Sequence, residues 1–209
     1  GVTDAAEKNR VIGRLIQEIL HEEIAKIGEY ATVIRGTTQN DLMFRDAAPS
    51  VKPAALRGDG APVIEPVREL FKDEVRRVGD FLGLPSEIVS RQPFPGSGLA
   101  SRVIGEVTVE RLKLLRAVDR IFRAEIARSN VVKRLWQYFA VLTPMPGENG
   151  YVVCLRAVHA SESALAYAAR LPYDTLENVV SQITDEYPEV FRIVYDLTPS
   201  NHYRGIEWQ

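Results

Sequence analysis

Apolar residues return every three or four positions in "TDAAEKNRVIGRLIQEILHEEIAKIG", where Ile12, Ile16, Ile19 and Ile27 fall on one face and Asp4 and Glu7 have the spacing of a capping box. The pattern predicts an amphipathic helix that stops at Gly28. "YATVIRG" then reads as a short apolar strand, and residues 36 to 62, rich in Gly, Pro, Ala and Asp and without a period, as a long loop. Pro66 suits a first helical position, and Val67, Leu70, Phe71, Val75, Val78 and Leu82 make a stripe that ends before Gly83 and Pro85. A domain boundary is expected between residues 85 and 92.

Beyond it, "LASRVIGEVT" reads as a strand, and Thr108 can cap a long helix with Leu112, Leu115, Val118 and Phe122 on one side. The other side carries Arg111, Lys113, Arg116, Arg120, Arg123 and Arg128, interspersed with Glu110, Asp119 and Glu125, and reads as a solvated face. "WQYFAVLTPM" and "YVVCLRAVH" form two strands around the turn "PGENG", which favours a hairpin. A helix over "YDTLENVVSQITDEY", between Pro172 and Pro188, and a strand over "VFRIVYDLT" complete the chain. This order predicts an α+β arrangement, an antiparallel sheet with its helices on one face.

Composition narrows the chemistry. With 209 residues, 26 basic and 28 acidic side chains and a net charge of -2, the chain can bury a core, and nothing in its charge draws it to nucleic acid or an acidic membrane. Cys154 is the single cysteine, which excludes a disulfide framework within the chain and fits a reducing, cytoplasmic setting. No apolar run approaches membrane-spanning length. His21, His159 and His202 lie in separate segments without ligand spacing, so no metal site is expected. No nucleophile elbow occurs, and no catalytic residue is assigned.

The segment "RQPFPGSGLASR" supports two readings. Gly96 and Gly98 can adopt backbone angles that turn successive amides toward an anion. Alternatively, Pro93 and Pro95 stiffen an extended path, and the glycines serve only the bend.

Longer motifs add what spacing alone cannot. "EPVRELFKDEVRRVGDFLGLPSEIVSRQPFPGSGLASRVIGEVT" resembles the stretch of GMP synthases that joins their ATP-pyrophosphatase domain to the C-terminal dimerisation domain. "RLPYDTLENVVSQITDEYPEVFRIVYDLT" and the terminal "IEWQ" are similar to the family's last helix, last strand and terminus, and "GVTDAAEKNRVIG" to a late pyrophosphatase segment. The resemblance implies residues 1–85 as an α/β remnant of an ATP-pyrophosphatase domain and residues 86–209 as the α+β dimerisation domain. It also implies adenylation of xanthosine monophosphate (XMP) with ATP and Mg²⁺, displacement of AMP by ammonia to give GMP, and a homodimer. Gly96, Ser97, Gly98, Gln137, Ile206 and Glu207 match positions that contact XMP, and Arg204 stands near a family lysine. Gly36, Thr37, Asp41 and Lys52 match positions on the ATP and pyrophosphate side.

Departures accompany these matches. The family's Ser-Gly-Gly-Val-Asp-Ser phosphate loop has no counterpart in the chain, which begins downstream of where it would lie. "VKPAALRG" keeps only Lys52 of a longer family motif, and "PGENGY" lacks the arginine of the family's arm. The expectation is a chain inactive by itself, working with a separate P-loop or glutaminase subunit. The alternative is a divergent paralogue that keeps a nucleotide-binding or protein-interaction scaffold without chemistry.

Overall fold

A computed structural model describes residues 1–27, 32–43, 63–92, 94, 98–160 and 165–201. The chain forms two compact units, one of Asn9–Arg91 and one of Gly1–Lys8 with Gln92–Gln209. No helix among the described residues is long and apolar enough to cross a membrane.

The predicted first helix is α1 (Ala5–Ile27), and the Glu7 amide donates to Asp4 Oδ1 at 2.8 Å, as the capping spacing requires. Its stripe is covered only in part, since Ile12 and Ile16 are half-buried while Ile19 and Ile27 are exposed. Within the Asn9–Arg91 unit, β1 (Val33–Ile34) pairs in parallel with β2 (Val63–Ile64), and α2 (Gln39–Met43) lies between them in sequence. The third helix starts later than Pro66 suggests. Residues 66–69 are turns, and α3 (Lys72–Phe81) begins after Phe71, whose extended backbone donates its N–H to Glu74 Oε2 at 2.8 Å. A proline permits a helix start there but does not compel one. α4 (Ser86–Val89) follows, and Val89 packs close to Gly79.

The larger unit is built on a mixed sheet flanked by two helices. A 3₁₀ turn (Gly98–Arg102) leads to α5 (Val109–Arg128), a second 3₁₀ turn (Val132–Arg134), β3 (Gln137–Pro144), β4 (Tyr151–Ala160) and β5 (Leu165–Ala168). α6 (Tyr173–Glu186), β6 (Val190–Tyr195) and β7 (Ser200–Asn201) complete it. Thr108 caps α5 as predicted, its hydroxyl accepting from the Arg111 amide at 3.2 Å.

The expected hairpin is present, with Gln137 opposite Val158 and Pro144 opposite Tyr151, and Gly147 takes a positive φ in the turn. β4 is central. β3 runs along one side, and the other side is shared between β5, antiparallel at Val158–Ala160, and β6, parallel at Tyr151–Leu155. The strands β3-β4-β5-β7 form the antiparallel part of the sheet, and the parallel β6 is an addition to that expectation. It arises because α6 returns the chain across the sheet before β6, a crossover that parallel neighbours require.

Alternation then assigns the two faces. Ala140, Leu142, Val153, Leu155 and Ala157 meet Leu115, Val118, Phe122 and Ile126 of α5 and Val179 and Ile183 of α6 in one apolar core. Each large side chain in it contributes about 1.5–3 kcal/mol by leaving water. The opposite face holds Phe139, Val141 and Cys154 with Ile104 against them.

"LASRVIGEVT" is not a strand. Ser101 Oγ donates to the Gly98 carbonyl at 2.8 Å and Gly98 sits at φ 65°, which closes a 3₁₀ turn. Only Val103 makes an isolated parallel bridge, to Leu142.

Candidate functional site

β3 is an edge strand, so every second backbone group faces away from β4 and needs another partner. The structure supplies three. The Tyr138 N–H donates to Gln92 Oε1 at 2.8 Å, the Ala140 N–H donates to Asp119 Oδ1 at 2.9 Å, and the Leu142 carbonyl accepts from the Ile104 N–H at 2.8 Å. The segment that precedes α5 is thereby tied to the start of the hairpin.

Beside this edge lies Arg102, 1% exposed. Its guanidinium is 4.3 Å from the Phe139 ring centroid and 4.9 Å from that of Phe94, with Asp119 Oδ1 3.8 Å from Nη1. Burial pushes the Asp119 carboxyl above its usual value, and the Ala140 amide, Arg102 and Arg123 oppose that shift without cancelling it. Asp119 and Glu125 are therefore not part of a solvated face, since both are buried. Glu125 accepts from Gln182 Nε2 at 2.9 Å and pairs with Arg128, which links α5 to α6.

Next to the 3₁₀ turn is a recess of about 310 Å³, walled by Phe94 and Leu99 and edged by Arg116, Asp119, Arg120 and Arg123. Sequence reasoning assigned Asp119 to the wrong side of α5. The available signal was its position four residues after Leu115 and one after Val118, inside the apolar stripe, where a carboxylate needs a buried partner.

Of the predicted XMP contacts, Gly98 and Gln137 lie in the larger unit. Gly98 opens the 3₁₀ turn, and among the described residues nothing lies within 4 Å of where a Cβ would stand. Gln137 begins β3 and is buried. Gly96, Ser97, Arg204, Ile206 and Glu207 lie outside the described residues, as does Lys52.

Gly36, Thr37 and Asp41 lie in the smaller unit. Thr37 Oγ1 donates to Glu65 Oε1 at 2.6 Å. Asp41 Oδ2 accepts from the Thr38 amide at 2.9 Å and its hydroxyl at 2.6 Å, with Lys72 Nζ 3.6 Å from Oδ1. Burial raises the Asp41 carboxyl, but the Thr38 bonds and Lys72 outweigh it and hold it below the ordinary carboxylate value.

Two further groups near the sheet are structural. Arg156, 2% exposed, pairs with Asp196 and donates to the Thr198 carbonyl at 3.0 Å, which fastens the chain after β6. Burial and the Asp196 charge push the Cys154 thiol up to about 12, so it carries no nucleophile. Among the described residues no group of three His, Cys, Asp or Glu side chains could hold a metal ion.

A family model described as the GMP synthase C terminal domain matches residues 124–208. The glutamine-hydrolysing GMP synthase of Caldicellulosiruptor saccharolyticus is 45% identical, covering 100% of this chain and 44% of the relative. Those of Clostridium botulinum and Caldanaerobacter subterraneus are 41% and 40% identical with the same coverage. The chain thus spans less than half the length of these relatives. With β3 to β7 inside the matched domain and identity running from end to end, the chain is similar over its whole length to the C-terminal part of GMP synthases.

Proposed function

We propose that this chain is the nucleotide-binding and dimerisation part of a GMP synthase, which acts in purine nucleotide synthesis by amination of XMP. Identity of 40–45% over the whole chain to GMP synthases carries the reading. Residues 1–85 are assigned to the end of an ATP-pyrophosphatase-like domain, in keeping with the parallel β1–β2 pair, and residues 86–209 to the dimerisation-like domain. The purine monophosphate is held by the backbone at Gly98, where a side chain is absent, and by the Gln137 amide at the start of β3. Gly96, Ser97, Arg204, Ile206 and Glu207 complete that set. Purine binding by such a constellation is positioning, which supplies much of the advantage when two nucleotides must meet.

Among the described residues those on the ATP side offer one carboxylate, Asp41, with no second acidic or histidine side chain grouped with it to hold Mg²⁺. Thr37 is spent on Glu65, and the Asp41 carboxylate on Thr38 and Lys72. The chemistry with ATP and ammonia belongs to a separate P-loop or glutaminase subunit. Assembly is as a homodimer in a cytoplasmic setting.

Titration calorimetry of the 209-residue chain with XMP, GMP and ATP tests this. XMP binds, and Gln137→Ala or Glu207→Ala weakens it by about tenfold or more. Wild-type protein that binds no purine nucleotide refutes the reading. One observation favours the divergent paralogue instead: the β3–β4 turn, Met145 to Gly150, contains no arginine. Formation of GMP on mixing with a P-loop-bearing partner excludes that alternative.

A further inference from the structure

We infer that Gln92 is a positioning residue of the nucleotide site, whose side chain ties the stretch leading to Gly98 to the strand that begins with Gln137; this rests on the reading that Gly98 and Gln137 of the larger unit hold XMP. Tyr138 lies on the open edge of β3, and its N–H donates to Gln92 Oε1 at 2.8 Å, across 46 positions of the chain. That N–H and the Gln137 carbonyl belong to one planar peptide unit, so the bond fixes the backbone that carries the Gln137 side chain. Gln92 is half-buried, and its long side chain gives up rotamer freedom to be held there.

A second tie closes the span. The Ile104 N–H donates to the Leu142 carbonyl at 2.8 Å, and Val103 bridges to the same residue. Gln92 and Ile104 are thus fastened to β3 at Tyr138 and Leu142, a separation of about 13 Å along an extended strand. Gly98 stands midway between the two ties in sequence. On its C-terminal side, Ser101 Oγ donates to the Gly98 carbonyl at 2.8 Å, and the Arg102 guanidinium lies 4.9 Å from the Phe94 ring centroid and 4.3 Å from that of Phe139. With both ties made, the glycine backbone is referred to the same strand as Gln137. When the Gln92 tie is cut, the ordering it provides has to be supplied on binding, and the apparent affinity falls with the fraction of molecules already in the ordered arrangement.

The experiment measures XMP affinity by calorimetry and hydrogen exchange at the Tyr138 amide on the full chain. The forms compared are wild type, Gln92→Met, Gln92→Glu, Thr108→Ala and Gln137→Ala, in salt of about 0.5 M to screen the charge that Gln92→Glu adds. Gln92→Met keeps the length of the side chain and loses the acceptor; Gln92→Glu keeps an acceptor and loses the amide donor. The Met variant loses protection at Tyr138 and binds XMP roughly 2- to 10-fold more weakly, the share of one uncharged hydrogen bond, whereas the Glu variant keeps both. Thr108→Ala removes the α5 cap, lowers the melting temperature and leaves XMP affinity unchanged, which separates positioning from a general loss of stability. Unaltered XMP affinity in Gln92→Met, with Tyr138 unprotected and Gln137→Ala still weakened, overturns the positioning role and leaves the parent reading intact. Protection at Tyr138 that survives in Gln92→Met overturns it too, as does a Glu variant that keeps the protection yet binds as weakly as the Met variant, since the amide would then touch the nucleotide directly. Wild type that binds no XMP, while exchange at Tyr138 still follows the acceptor, overturns the parent reading, and the positioning role with it.

Discussion

Asp119 can be tested for which of two roles it plays. It accepts the Ala140 N–H at 2.9 Å, and it stands 3.8 Å from the Arg102 guanidinium, beyond hydrogen-bond reach. If its main role is to satisfy the edge of β3, a neutral acceptor of the same shape serves nearly as well. Asp119→Asn is therefore expected to stay within about 1 kcal/mol of wild type at neutral pH, since only the edge hydrogen bond has to be kept. Asp119→Ala leaves a buried amide without an acceptor and costs about 1–3 kcal/mol, a fall in melting temperature of roughly 2–12 °C.

The pH dependence has a defined sign. Burial holds the folded pKa of Asp119 above its unfolded value, so its contribution is fully present at acid pH, below the unfolded value, and is lost as pH rises through the folded pKa. The Asn variant consequently gains on wild type as the pH rises out of the acid range. Thermal unfolding followed by circular dichroism measures the stability, and hydrogen exchange at the Ala140 amide reports the local bond. That amide keeps its protection in the Asn variant and loses it in the Ala variant. An Asn variant as unstable as the Ala variant at pH 7 would refute the reasoning and make Asp119 a counterion to Arg102.

Removing the carboxylate of Asp196 takes the charged partner from the buried Arg156 guanidinium and is expected to cost about 3–5 kcal/mol, with faster proteolytic cleavage after Tyr195; unchanged cleavage and stability would show that the pair anchors nothing. Cys154, buried and with its thiol pushed up to about 12, should resist a thiol reagent at pH 8 until denaturant is added, whereas stoichiometric labelling of the native protein contradicts its placement.

Local signals along the chain located most elements because their causes are local. The Asp4–Glu7 spacing, the Thr108 cap, the α5 stripe and the turn around Gly147 each act within a few residues, and each is found where the pattern predicts it. The paired strands of the β3–β4 hairpin follow for the same reason. Pro66 does not start a helix and the segment after Gly98 is no strand, because a proline or an apolar alternation permits a conformation without selecting it.

Long-range partners decided the remainder. The Ala140 amide finds Asp119 across 21 positions, Arg156 finds Asp196 across 40, and β6 lies parallel to β4 because α6 carries the chain back over the sheet. No short window holds both members of such pairs. Whether a charged residue faces water or a buried edge depends on which backbone groups the fold leaves without partners, and that is settled only when sheet and helix meet. The family was legible from long motifs in order, whereas the grouping of Phe94 and Leu99 with Arg116 and Arg120 around one recess exists only in three dimensions.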